Sequence, residues 1–366
     1  MKFTILQSNI AKSLNHVSRI VSSRTTLPVL SNILVSAKKG KITLSSTDLE
    51  VGITTYTNGK VEVEGELTAP ARLLSDFVLN NNDELVAVEV ENNQMTLKSE
   101  KYEAKINGIS AEEFPTIPNS PKEVYCTISR DEFLNALKKV LIATATDETR
   151  PTLAGVYFDF NGKKLTLAAT DSYRLAENKM TLDEEVVEKK AIVPTRTMTE
   201  VMRLLSSENI EKINIAFTEN QVFFTIGETR LVSRVIEGAF PPYSQIIPKD
   251  FKVKVLVDYK EFVSALKMVS LFAKDAANNI KLTTKKEELM IASAETQSGG
   301  ANSRIKAKTE GGEIKVSFNV RYLQDVLQVV STDSVIIKLN DSAAAALIEF
   351  EKEKGFLYIV MPLKTD

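Results

Sequence analysis

The sequence is short of the residues that most often carry chemistry: 366 residues include one cysteine, Cys126, and one histidine, His16. A lone thiol excludes an internal disulfide framework and a multi-cysteine zinc site, and it agrees with a reducing compartment. Cys126 reads as a small apolar filler at a strand start, not as a reactive thiol. Long apolar runs are also missing. No window approaches the roughly 18 apolar residues of a membrane span, and the N-terminus lacks the apolar core and small-residue cleavage site of a signal peptide. The chain is therefore read as cytoplasmic, with no membrane partner. Charge of one sign is not in excess either. Forty-six Lys and Arg against 48 Asp and Glu leave a formal charge of −2, so any polyanion must be met by a local concentration of basic residues.

What is present is a balance of 43% hydrophobic and 26% charged residues, which belongs to a chain folded throughout. Its length allows two or three domains, each with its own core. Three stretches follow one order of elements. A short strand leads to a helix at 2–7 and 9–22, at 124–128 and 131–144, and at 253–257 and 259–272. Leu14, Leu137 and Leu266 align, as do Val17, Val140 and Val269, giving the same three-residue apolar step each time.

Paired strands follow, 33–36 with 41–45 and 155–159 with 164–168, turning at Lys39-Gly40-Lys41 and Asn161-Gly162-Lys163. The second strand of each pair runs into Thr47-Asp48 or Thr170-Asp171. The third copy, 280–283 with 289–293, has drifted to Ala294-Glu295. A second helix enters after Pro70, Pro194 and Asn319, the prolines suiting a position that needs no amide donor. About four alternating strands close each unit. The offsets of 124 from Pro70 to Pro194 and 123 from Asp48 to Asp171 make the repeat a domain, not a solenoid module. Boundaries are placed in proline-bearing polar stretches, giving domains 1–120, 121–248 and 249–366. The expected class is α+β, with two helices on one face of an antiparallel sheet in each domain. Equal units joined in equal orientation generate an arc, and two arcs related by a twofold axis can close.

Basic residues recur on the helices. Lys260, Lys267 and Lys274 are seven apart, as are Lys12 and Arg19, and the second copy supplies Lys138 and Lys139. Arg72, Arg196 and Arg321 occupy one place in the three second helices. Any single stripe is usually a solvated face. Three of them on a slightly acidic chain would attract phosphates on one side, positioning a duplex without reading its bases.

Catalytic signatures fail. There is no Gly-x-Gly-x-x-Gly, no Gly-Lys-Ser/Thr loop and no His-Glu-x-x-His, so no cofactor or metal is expected. His16 falls where the second copy has Lys139, and reads as a solvated or DNA-facing helix residue in place of a general base. Asp48 and Asp171 follow strand ends, where a carboxylate satisfies turn amides, in preference to binding a metal. A binding module is the favoured reading. Two rivals stay open: a nucleic-acid enzyme using the Thr-Asp motifs, and a scaffold that remains monomeric.

The order of motifs resembles the bacterial sliding-clamp family, the beta subunits of replicative DNA polymerase, over essentially the whole chain. The carrying residues are Arg24 to Pro28, Thr47 to Glu50, Asp147 to Gly155, Thr170 to Leu175, Phe240 to Tyr243, Phe318 to Tyr322 and Val360 to Leu363. Singly each is weak; in this order on a threefold repeat they are specific. The resemblance implies three clamp-type domains forming half of a ring, which a homodimer completes head to tail around duplex DNA. It further implies a non-catalytic processivity factor that tethers the replicative polymerase, and a clamp loader and repair proteins that dock through short linear peptides.

Carried over by position, the peptide pocket would comprise Leu153, Thr170, Ser172, Tyr173, Arg174, Leu175, Pro241, Gln245, Ile246, Asn319, Tyr322, Ala345, Ile359, Val360, Met361, Pro362 and Leu363. An apolar terminal strand beside a proline loop suits a peptide with leucine or phenylalanine anchors. Many relatives have a basic residue at Gln245 and a hydroxyl at Ala345, so peptide preference is expected to differ. DNA contacts fall on Arg24, Arg72, Lys138, Lys139, Arg150, Arg196 and Lys267. Subunit contacts fall on Leu271 and Phe272 against an edge strand around Ala104 and Ile106, a core role for Phe272 being as plausible.

Overall fold

The structure is a computed structural model and describes residues 1–21, 26–147, 149–297 and 299–363. Two compact units appear, one of residues 1–130 with 203–235 and one of residues 131–202 with 236–366. Antiparallel strands and, among the described residues, six helices make the architecture α+β, as read from the sequence. The helices are α1 (Gln7–Val17), α2 (Ala71–Asn80), α3 (Arg130–Leu141), α4 (Thr195–Ser207), α5 (Tyr259–Ala273) and α6 (Val320–Gln328).

In the first unit α1 buries Ile10, Leu14 and Val17, a stripe at helical spacing, each such side chain worth roughly 1.5–3 kcal/mol when fully buried. The helix stops at Val17, short of the expected 22. Its last carbonyls need partners, and Arg203 supplies them, donating to the oxygens of Asn15 and His16 at 3.0 Å each. The expected turn is present between Asn32–Lys38 and Lys41–Thr47, where Lys39 (φ 50°) and Gly40 (φ 73°) give the left-handed pair a two-residue hairpin requires. An eight-stranded sheet then crosses sequence repeats. Strand Val51–Asn58 lies against Thr229–Arg234 with Val51 opposite Ser233. A five-stranded sheet ends on Glu103–Asn107.

In the second unit strand Gly155–Thr170 runs against Arg174–Pro194. Both expected stretches find partners there, 155–160 on 189–194 and 164–170 on 175–181, with the register shifting about Gly162 at φ 58°. Phe158 and Phe160 stack behind Phe133 of α3, all three fully buried. Strand Phe356–Val360 adds to the same sheet with Arg174 opposite Val360. Helix α5 spans nearly the expected residues because Asp258 caps it, accepting from the Glu261 amide at 2.9 Å. Among the described residues no helix is long and apolar enough to cross a membrane.

Candidate functional site

A cavity of about 320 Å³ opens in the second unit, with Leu153, Leu175, Ile359 and Met361 as apolar walls. Thr170, Ser172 and Arg174 line one side, and Pro241, Pro242, Tyr243, Gln245 and Ile246 the other. The proline loop is held by aromatic contacts: Phe240 stacks on Tyr157 at 4.8 Å and meets the Tyr243 ring edge-on at 5.9 Å. The Tyr243 hydroxyl donates to Glu177 Oε2 at 2.6 Å, and burial together with that bond pushes its pKa well above the ordinary tyrosine value. Such a cavity suits one or two large apolar side chains of an extended ligand.

Ten of the residues named from the sequence line this cavity. Pro242 and Tyr243 line it too and were not named, although they sit inside the Phe240-Pro241-Pro242-Tyr243 motif. Tyr173, Asn319 and Tyr322 face a neighbouring polar cavity of about 620 Å³ that shares Leu153 and Arg174 with the first. Ala345 belongs instead to the packed layer formed with Leu175, Leu347 and Ile359. Val360 is fully buried and lines neither cavity. Its removal from the pocket surface follows from strand alternation, which turns Ile359 and Met361 one way and Val360 the other. Pro362 and Leu363, half-buried, lie beyond the strand, where the Leu363 amide donates to the Ser317 carbonyl at 2.8 Å.

The Thr-Asp motifs are turns. Asp171 Oδ1 accepts from the amides of Tyr173 and Arg174, at 2.9 Å each, and Thr170 donates to the Arg174 carbonyl at 2.6 Å. Asp48 does the same for Glu50 and Val51, at 3.0 and 2.8 Å. The bonds hold Leu49 and Ser172 at φ 78° and 77°, a region bulky residues rarely enter. Asp171 also holds Arg174 Nε at 3.0 Å, while that guanidinium reaches Asp325 and lies 4.5 Å over the Tyr322 ring. Asp171→Ala is therefore expected to cost about 2 kcal/mol of stability, read as a lowered denaturation midpoint. An unchanged midpoint would contradict the turn role. Among the described residues no cluster of three or more His, Cys, Asp or Glu is placed to hold a metal.

Of the basic residues, Arg72, Lys138, Arg150, Arg196 and Lys267 are exposed, and Arg24 lies outside the described residues. Arg150 donates to Ser172 Oγ at 2.9 Å, at the rim of the polar cavity. Lys139 is a correction. It is 3% exposed and paired with Glu353, with its ammonium 5.6 Å from the Phe356 ring, so it has no cation to offer a phosphate. His16, in the same helix position, is likewise 3% exposed instead of solvated. Heptad-type spacing identifies a face, but the face at this position meets a neighbouring strand and not water.

Leu271 is 59% exposed, and Phe272 is half-buried. On the edge strand Glu103–Asn107, Ala104 is half-buried, whereas Ile106 is turned into its own core opposite Met95. A side-chain role for Ile106 at a subunit contact is thereby corrected; its backbone remains at the sheet edge. Cys126 is buried, and burial pushes its thiol up to about 12, in keeping with an inert filler.

Comparison with known proteins agrees along the whole chain. Models of the DNA polymerase III beta subunit match three times, as N-terminal domain over residues 1–118, central domain over 127–242 and C-terminal domain over 244–364. The beta sliding clamp of Bacillus subtilis is 30% identical over 378 residues, and that of Staphylococcus epidermidis 28% over 376, each covering all of both chains. The crystal structure of the DNA polymerase sliding clamp from Bacillus subtilis superposes with a TM-score of 0.95 at 29% identity, covering all of both chains. A sliding clamp from Pseudomonas aeruginosa bound to griselimycin does so at 0.94 and 28%, with the same coverage. Three successive domain models and full-length relatives together place this chain in the DNA polymerase III beta subunit family.

Proposed function

We propose that the chain is a sliding clamp: two copies join head to tail, enclose duplex DNA and keep a polymerase bound to them close to the primer end. The carrying observation is a repeated seam with an open counterpart. Strand Val51–Asn58 receives Thr229–Arg234, and Arg174–Pro194 receives Phe356–Val360, in matching registers. The third-repeat equivalent is Asn302–Glu310. It pairs with Glu288–Ser293 over 302–306, and with Val253–Asp258 only over 307–310. Residues 302–306 thus keep one free edge among the described residues. Strand Glu103–Asn107, where Asn107 faces Gln94 as Arg234 faces Gln221, ends its own sheet. An open edge of each kind on one chain is what a heterologous contact needs, and two such contacts close a dimer.

In this reading the three repeats, bounded near 120 and 248, each present two helices toward DNA. Arg72, Lys138, Arg150, Arg196 and Lys267 contribute salt-sensitive phosphate contacts. The pocket about Leu153, Leu175 and Met361 takes linear peptides of the polymerase, a loader and repair proteins. Tethering acts as a high effective concentration, with no cofactor and no covalent step. A separate ATP-dependent loader opens the ring, and the bacterial cytoplasm is the place of work. The test is retention on DNA. Clamp loaded on a nicked circle is expected to persist at a salt concentration that abolishes ordinary binding, and to leave within one measurement once the circle is cut. Equal loss from circle and linear form would overturn encirclement.

A further inference from the structure

The first helices of the first two repeats carry a buried base at one position, His16 in α1 and Lys139 in α3, and each base is built into a seam. His16 Nδ1 lies 3.0 Å from Thr229 Oγ1, which lies 3.0 Å from Thr55 Oγ1. Thr229 and Thr55 face one another as a strand pair of the seam. The imidazole is therefore hydrogen-bonded to the pairing itself. Its Nε2 is 3.4 Å from Glu208 Oε1, and Glu208 also holds Lys12 at 2.9 Å.

We propose that His16 makes this seam acid-sensitive: uptake of a proton by His16 loosens the pairing of 51–55 with 229–233, whereas the matching seam of the other unit, which holds Lys139 in that place, does not respond.

A neutral imidazole has one donor and one acceptor, and the surroundings provide for that form. With its one proton on Nε2, toward the Glu208 carboxylate, the ring leaves Nδ1 to accept from the Thr229 hydroxyl, whose oxygen keeps a lone pair for Thr55. A second proton makes Nδ1 a donor, and the Thr229 hydroxyl, which gave its proton to the ring, must turn and find another acceptor within the pairing. The charged groups facing the ring are Lys12 from α1, and Arg203 and Glu208 from α4 and the turn that follows it; the strands present Thr55 and Thr229. Burial is the largest influence and holds His16 below its ordinary 6.5, against the attraction of Glu208 and with the repulsion of Arg203 and Lys12. The sign follows from linkage. The opened seam binds a proton at an ordinary pKa and the closed seam at a lower one, so stability present above about 6.5 declines as pH falls through the window beneath it.

Because His16 is the only histidine, ring-labelled histidine gives one titrating signal in the intact protein. Its midpoint is expected below 6.5. Amide exchange at 229–233, divided by the intrinsic rate, is expected to rise by up to about tenfold per pH unit as pH falls from about 6.5 to that midpoint, and to level off below it, while exchange at 356–360 stays level. His16→Gln is expected to flatten the first dependence. A midpoint at or above 6.5, the same pH response in both seams, or an undiminished response in H16Q would each overturn the proposal. Should H16Q not fold, the two seams of the unaltered protein still decide it.

Discussion

Leu271→Asp is expected to convert the protein to a 40.5 kDa monomer at concentrations where the unaltered chain, on the ring proposal, sediments as a dimer. The side chain is 59% exposed on α5, next to Met268 at 59%. Met268 lines a groove of about 450 Å³ with Glu261, Ser264, Ala265 and residues 303–306, beside the free strand edge. An exposed position of this kind costs a folded chain little, within about 0.5 kcal/mol. A carboxylate carried into an apolar contact costs several kcal/mol unless paired. Truncating a central apolar anchor typically loses 2 kcal/mol or more, so a weakening of at least about 30-fold is expected. Met268 stands where the two internal seams have His16 and Lys139, so the contact with a second copy would be apolar where the internal ones are pinned by polar groups. Sedimentation at micromolar concentration reads the result; an L271D dimer of undiminished strength would remove this face from the contact.

Ile246→Asp is expected to weaken peptide binding by about 30-fold or more, equivalent to roughly 2 kcal/mol. Ile246 is 51% exposed at the mouth of the apolar cavity, so the fold should hold while the wall acquires a charge. The probe is a fluorescent hexapeptide ending in Leu-Phe, followed by polarisation. Retained affinity would move the docking site elsewhere. Gln245 beside it is neutral, so a carboxylate on a bound peptide would meet no cation on this side of the cavity.

Much of this was legible because the signals are local. The Thr170-Asp171 turn follows from the chemistry of a short carboxylate two residues before the amides it satisfies, and α5 follows from Asp258 and a repeating apolar step. Pocket residues on one strand were legible in outline, but alternation divided them, placing Ile359 and Met361 in the wall and Val360 in the core. Tertiary partners were not legible. Nothing near Lys139 in the sequence announces Glu353, nor does anything near His16 announce Thr229 and Glu208, so helix spacing alone assigned both to solvent. The early end of α1 has the same origin, since Arg203, which satisfies its last carbonyls, lies far away in the chain. Ile106 was misassigned because an edge strand has one face inward, and composition does not say which.

The burial of Cys126 has a practical consequence for testing whether a second copy meets the free strand edges. A thiol held so far from its reactive form and shielded by strands will be passed over by maleimide dyes at neutral pH. A single cysteine introduced on either free edge can then carry a fluorophore without first removing the native one. Contact of that edge with a second copy would then register as a change in the emission of the dye placed there.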